Sequence, residues 1–171
     1  LVKSFNSYVD SYNEQHKEKI SQGEIEPLTH SSEDFIKKVS GIENRFVVDK
    51  KGILDPNRMM PSIERRSNED VSLQAEISAI ACKEALEKSN NSVKDIDAVI
   101  CACANLQRAY PAVAIEIQSI LGIEGYAYDM NVACSSATFA YQNAVNDIIS
   151  GVAKKVLVVD PEICSAHLNF K

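Results

Sequence analysis

Apolar residues Val2, Phe5, Val9 and Tyr12 recur at helical intervals with Lys3, Asn6, Asp10 and Asn13 between them, which predicts an amphipathic helix that Gly23 ends. No capping residue precedes Leu1, so the chain is expected to begin inside a longer one. Ser31 and Ser32 are candidate caps for a short helix over 33–39 that Gly41 closes. Arg45-Phe46-Val47-Val48 predicts a short strand. Residues 49–68 carry Gly52, Pro56 and Pro61 without a sustained period and predict a long loop insertion. Small residues at helical spacing (Ala75, Ala79, Cys82, Ala85) predict a closely packed helix from Asn68, its cap, to Lys88.

Beyond residue 96 the pattern alternates. Strands are predicted over 97–103, 126–131 and 155–160, and helices over 111–121 and 135–150, with Pro111 in a first turn and Gly122 and Gly151 just past helix ends. Such βαβ units predict a layered α/β sheet. The unbroken apolar run Val156-Leu157-Val158-Val159 predicts a central strand covered on both faces.

Composition narrows the class. The chain has 171 residues, 45% of them hydrophobic, with 6 Gly and 5 Pro, which excludes a collagenous or wholly disordered protein. One domain with a substantial core is the default. Net charge is -6 and no basic block stands out, so neither nucleic acid nor an anionic membrane is an expected partner. No run reaches the ~18 apolar residues of a membrane helix, and residues 1–20 lack a signal-peptide pattern, so a cytoplasmic location is expected. Five cysteines without a CxxC pair and three scattered histidines predict reduced thiols and no metal site. Cys101 and Cys103 are expected on opposite faces of their strand.

The segment carrying most chemistry is Asp129-Met130-Asn131-Val132-Ala133-Cys134-Ser135-Ser136-Ala137, which sets a cysteine at the passage from a strand into a helix. There the open N–H groups and the helix dipole favour thiolate and could stabilise an oxyanion. Cys134 is then either an activated nucleophile or a small core residue. Small neighbours would admit a substrate carbonyl.

This segment resembles the nucleophile turn of thiolase-fold condensing enzymes, and in particular that of the β-ketoacyl acyl-carrier-protein synthase III family. Three further stretches are similar to the same family in the same order: Ser32-Glu33-Asp34-Phe35-Ile36 with Ser40-Gly41-Ile42-Glu43-Asn44-Arg45, then Ala109-Tyr110-Pro111-Ala112 with Ile117-Gln118-Ser119-Ile120-Leu121-Gly122, then 151–159. The resemblance implies the N-terminal half of a thiolase-like α/β fold layered α/β/α/β/α, with a mixed sheet and a buried helix carrying the nucleophile. It places the first strand and the C-terminal half outside residues 1–171.

The implied activity is a decarboxylative Claisen condensation of an acyl-CoA primer with malonyl-acyl carrier protein in fatty-acid synthesis, through an acyl-Cys134 intermediate. No cofactor is implied, coenzyme A entering as the thioester substrate. The family's catalytic histidine and asparagine belong to the second half, and His167 reads as a loop residue. The implied partners are acyl-CoA, acyl carrier protein and a second copy in a homodimer.

Phe35 stands where the family often has a tryptophan stacked on the adenine of coenzyme A, and Tyr110 where an aromatic at the dimer interface reaches the neighbouring acyl pocket. Tyr110 is equally readable as a rigid residue before Pro111. Val39 replaces a family arginine, leaving Lys37, Lys38, Arg58, Arg65 and Arg66 as candidates for relocated anion recognition or as ordinary surface charge. The alternatives are a thiolase or hydroxymethylglutaryl-CoA synthase using the same cysteine, and a non-catalytic thiolase-fold partner subunit.

Overall fold

In the computed structural model, which describes residues 1–171, the first apolar stripe forms α1 (Val2–Gln15), continued by α2 (Lys17–Ser21). Two asparagines seven residues apart, and so on one helix face, tie an extended segment to α1. The Asn6 amide pairs with the backbone N–H and C=O of Ser31, and the Asn13 amide does the same with Leu28, at 2.9–3.0 Å. These amides supply the partners that the segment's backbone lacks within itself. Ser32 then caps α3 (Glu33–Ser40) by accepting from the Phe35 N–H, and Gly41 ends it at a φ of 69°.

Two expectations fail in this region. Arg45–Val48 is not a strand, and Phe46 is fully exposed, because no second strand lies beside it to take up its backbone groups. Residues 49–68 are not structureless: they contain α4 (Lys50–Leu54). One Asp49 carboxylate oxygen accepts from the Gly52 N–H at the start of that helix, and the other accepts from Ser62, folding the segment back on itself. These N–H donors hold the Asp49 carboxyl below the usual carboxylate range. Ile53 and Met59 are buried, and the Met59 carbonyl accepts from the Phe170 N–H. Leu1–Glu64 with Cys164–Lys171 is one compact unit, and Arg65–Ile163 is a second.

The second unit is the βαβ region. Strands β1 (Ala98–Ala102), β2 (Tyr126–Met130) and β3 (Val156–Val159) form a sheet in the order β2-β1-β3, with Ala98 opposite both Tyr126 and Val156. Both pairings are parallel, so the sheet is parallel throughout rather than mixed. β1 is the central strand and is wholly buried. β3, expected at the centre, is an edge of this sheet and only partly buried. A short apolar strand reads the same in either place, since Ala98–Ala102 is as apolar as Val156–Val159.

Helices cover both faces. On one, Ala75, Ala79, Cys82 and Leu86 of α5 (Leu73–Lys88) and Val113, Ala114, Ile117 and Leu121 of α6 (Val113–Leu121) pack over Val99, Cys101 and Leu157. On the other, Ala140 and Ala144 of α7 (Ser136–Ile149) pack over Ile100 and Ala102. Cys101 and Cys103 therefore share one face, against the expectation of opposite faces. Strand side chains repeat every second residue, so positions two apart point the same way. The helix α7 buries one stripe only; Phe139, Tyr141, Val145, Ile148 and Ile149 are exposed.

The element ends are set by specific bonds. α5 is capped by the buried Ser72, whose hydroxyl accepts from the Ala75 N–H, rather than by Asn68. α6 has no cap of its own; Asp129 on β2 accepts from the Val113 and Ala114 N–H groups at 2.9 and 2.8 Å, which joins the helix start to the neighbouring strand. At the opposite end of the sheet, Gly125 at a φ of 114° lies against the Asp97 carbonyl, where a Cβ would meet that oxygen at 2.1 Å.

Candidate active site

The path from β2 into α7 places Cys134 one residue before Ser135, the residue at the helix's N-terminal boundary. No side chain caps α7, whereas hydroxyls or a carboxylate close the starts of α3, α5 and α6. The Ser136 N–H donates to the Ala133 carbonyl, which leaves the Ala137 and Thr138 N–H groups of the first turn available, and Cys134 is exposed beside them. Preceding it, Ala133 takes a φ of 47°, a left-handed conformation that a residue with a Cβ seldom adopts.

The other thiols divide sharply. Cys82, Cys101 and Cys103 are buried. Burial pushes Cys82 and Cys103 up to about 11, and pushes Cys101 higher still with the Asp129 charge adding to it. Cys103 is also a hydrogen-bonded structural group: its sulfur accepts from the Gln74 amide at 3.1 Å and the Asn105 N–H, and donates to the Glu162 carboxylate at 3.3 Å. Cys164 is the second exposed thiol, but it lies in the other compact unit. Within Arg65–Ile163, Cys134 is therefore the one exposed thiol, and that unit contains no histidine, since His16, His30 and His167 all belong to the other.

Tyr110 is 91% exposed and joined to Pro111 by a cis peptide bond. The loop that bears it is held firmly. Arg108 donates to the Asn68 and Asp70 carbonyls and lies 3.5 Å from the buried Glu116 carboxylate, which in turn accepts from the Ser72 N–H. Gln74 reaches the same loop through the Asn105 carbonyl and the Gln107 N–H. The Tyr110 ring thus projects from a fixed base.

In the other unit, Phe35 (58% exposed) and Val39 (62%) lie one turn apart on α3. The basic candidates separate by use. Lys37 pairs with Glu43, Arg58 donates to the Pro61 carbonyl, and Arg66 binds Glu76 and the Val71 carbonyl. Lys38 and Arg65 have no such partner. Sequence reasoning missed Gln74, Arg108, Glu116 and Asp129, whose roles depend on partners distant in sequence, such as Ser72 for Glu116 and Ala114 for Asp129; the one available signal was polarity in otherwise apolar surroundings. No group of histidine, cysteine and acidic side chains has the geometry of a metal site.

The sequence profile of 3-oxoacyl-[acyl-carrier-protein (ACP)] synthase III matches residues 128–171, which include the Cys134 turn, α7 and β3. The chain is 55% identical over 170 residues to a protein of Pseudomonas aeruginosa named beta-ketodecanoyl-[acyl-carrier-protein] synthase, covering 99% of this chain and 49% of that one. It is 31% identical over 156 residues to beta-ketoacyl-[acyl-carrier-protein] synthase III of Bartonella bacilliformis, covering 91% and 42%. Among solved structures, 3-oxoacyl-[acyl-carrier-protein] synthase III of Aquifex aeolicus superposes with a TM-score of 0.61 at 29% identity, over 79% of this chain and 37% of that one. The chain thus spans about half the length of the curated relatives it matches. The likeness of fold extends to the enzyme of Thermus thermophilus, with a TM-score of 0.63 at 22% identity over 82% and 38% of the two chains, and identifies a thiolase-like α/β architecture.

Proposed function

Since the chain belongs to the 3-oxoacyl-[acyl-carrier-protein] synthase III family, we propose that it supplies the acyl-carrying half of a condensing enzyme, with Cys134 as the nucleophile. The observation that carries this reading is the exposed Cys134 at the uncapped start of α7, in a unit whose other three thiols are buried. The Cys134 thiolate attacks the carbonyl carbon of an acyl-CoA, the carbon–sulfur bond to coenzyme A breaks, and coenzyme A leaves as its thiol after taking up a proton. The acyl group then rests on Cys134 as a thioester. Malonyl-acyl carrier protein loses carbon dioxide, and the carbanion so formed attacks that thioester. A carbon–carbon bond forms and the Cys134 thiolate is expelled.

The electrons balance without a redox group or a metal, so the thioester substrates are the only small molecules the scheme needs. The histidine and asparagine that stabilise the developing enolate belong to the second half of the fold. The open N–H groups at the α7 N-terminus stabilise the oxyanion of each tetrahedral intermediate.

The primer is a medium-chain acyl group. The Pseudomonas aeruginosa relative is named for a ten-carbon product, and removing the two carbons that malonyl supplies leaves octanoyl as the primer. Tyr110, exposed on its pinned loop, meets the acyl pocket of a second copy in a homodimer, and the enzyme works in the cytoplasm. Phe35 takes the adenine of coenzyme A on its exposed ring face, and with Val39 beside it a phosphate falls to Lys38, the cation of the same helix that pairs with no carboxylate.

Intact-mass measurement of the full natural polypeptide after incubation with acetyl-, octanoyl- and decanoyl-CoA tests the nucleophile. One acyl group is expected, mapped to Cys134, with octanoyl-CoA the fastest donor. An adduct on Cys164, or none, overturns the assignment. For Tyr110, replacement by alanine is expected to shift the ranking of primers toward longer chains, read from the same series. An unchanged ranking removes Tyr110 from the pocket.

A further inference from the structure

Cys134 makes no side-chain hydrogen bond of its own, so the direction of its sulfur is set by the backbone that leads into it. That backbone turns at Ala133, in the left-handed region. Both peptide units flanking Ala133 are held by side chains. The Ala133 N–H donates to Asn131 Oδ1 at 3.2 Å. The Ala133 carbonyl accepts from the Ser136 N–H at 3.1 Å and from the Ser136 hydroxyl at 2.7 Å, and that hydroxyl accepts from the Val132 N–H at 2.8 Å.

Ser136 is 4% exposed, so the bonds of its hydroxyl are part-buried, while the Ala133–Asn131 bond is exposed. Asn131 is anchored in turn: its Nδ2 donates to the Ala104 carbonyl at 3.2 Å, and the Ala104 N–H donates to Glu162 at 2.9 Å. The turn is thereby fastened to the chain leaving β1 and, through Glu162, to the chain leaving β3.

We infer that Asn131 and Ser136 are positioning residues that hold Ala133 left-handed and so aim the Cys134 sulfur at the incoming acyl carbonyl, an inference that rests on Cys134 being the acyl carrier. Without the two side chains, Ala133 relaxes toward negative φ, which redirects the following Cα–Cβ bond and displaces the sulfur. Displacements of this size cost rate rather than affinity, because they spoil attack geometry while leaving the substrate's binding contacts intact.

The test uses the full natural polypeptide carrying Ser136→Ala, Asn131→Ala, or Ser136→Ala together with Ala133→Gly. Two readouts are taken: kcat and KM for condensation primed with octanoyl-CoA, and the rate of iodoacetamide labelling at Cys134 relative to Cys164 in the same sample. Ser136→Ala is expected to lower kcat about tenfold or more with KM unchanged, and to lower the Cys134 to Cys164 labelling ratio. Asn131→Ala is expected to act in the same direction to a smaller degree. Adding Ala133→Gly to Ser136→Ala is expected to restore part of both, since glycine takes positive φ without a Cβ penalty.

Unchanged kcat and an unchanged labelling ratio in folded Ser136→Ala and Asn131→Ala overturn the inference, as does a fall in both that Ala133→Gly leaves unrepaired. Should Ser136→Ala not fold, Asn131→Ala decides by the same two readouts. A labelling ratio that falls in the variants, in a protein whose wild type takes no acyl group, upholds the positioning and overturns the acyl-carrier reading instead.

Discussion

Replacing Cys134 with alanine is expected to abolish acyl transfer, with a loss of at least about 10³-fold in kcat, while the fold stays within about 0.5 kcal/mol of the wild type. Both halves of that expectation come from placement. The side chain is exposed and bonded to nothing, so its removal opens no cavity and strands no polar group. No other thiol of Arg65–Ile163 stands ready to substitute, because Cys82, Cys101 and Cys103 are buried with their protons retained. Steady-state condensation with octanoyl-CoA and malonyl-acyl carrier protein, beside a thermal melt, separates the outcomes. Activity within tenfold of the wild type would show that another group carries the acyl chain. A large drop in melting temperature would show that Cys134 is a packing residue after all.

The largest effect on stability is expected from Gly125→Ala. A methyl group at this position would sit 2.1 Å from the Asp97 carbonyl oxygen and 2.9 Å from its carbon, and both belong to backbone that cannot swing aside. The φ of 114° adds a conformational penalty that any L side chain carries. The Asp97 carbonyl is also the acceptor for the Tyr126 N–H that opens β2, and the Asp97 carboxylate accepts from the Lys154 and Lys155 N–H groups before β3. Pushing this residue away therefore disturbs the start of all three strands. A loss of at least about 3 kcal/mol is expected, visible in chemical denaturation. A loss under about 1 kcal/mol would mean that β1 and β2 can separate at this end without breaking the sheet.

The readable parts of the fold are those fixed by local chemistry. Ser32 and Gly41 mark the ends of α3 because a hydroxyl acceptor and a residue free of Cβ strain act within their own turn, and Gly122 does the same for α6. The three strands of the second unit are legible from apolar runs between helical patterns. Their order is not, since it depends on which strands meet across 28 or more residues, and Val156–Val159 carries no mark that distinguishes an edge from a centre.

The same divide runs through the site. The position of Cys134 is legible because it stands at the passage from strand to helix, where the structure places it, exposed. The small size of Ser136 suggests only room for substrate, yet the side chain is buried and bonds the backbone on both sides of Ala133. Asp129 reads as a polar residue ending a strand, and its role as the cap of α6 appears only once β2 lies beside that helix.

The pairing of β1 with both neighbours also orders the assembly of the unit in time. Ala98 meets Tyr126 across the short α6 crossover, but it meets Val156 only after α7 has also been threaded. Closing the longer loop costs more chain entropy, and parallel contacts distant in sequence are slow to form. The β1–α6–β2 unit is therefore expected to form first and β3 to dock last. Glu162, which follows β3, reaches the Ala104 N–H only at that step. On that order the turn bearing Cys134 is expected to gain its Asn131–Ala104 bond with the first unit, and the Glu162 anchor of Ala104 only when β3 docks.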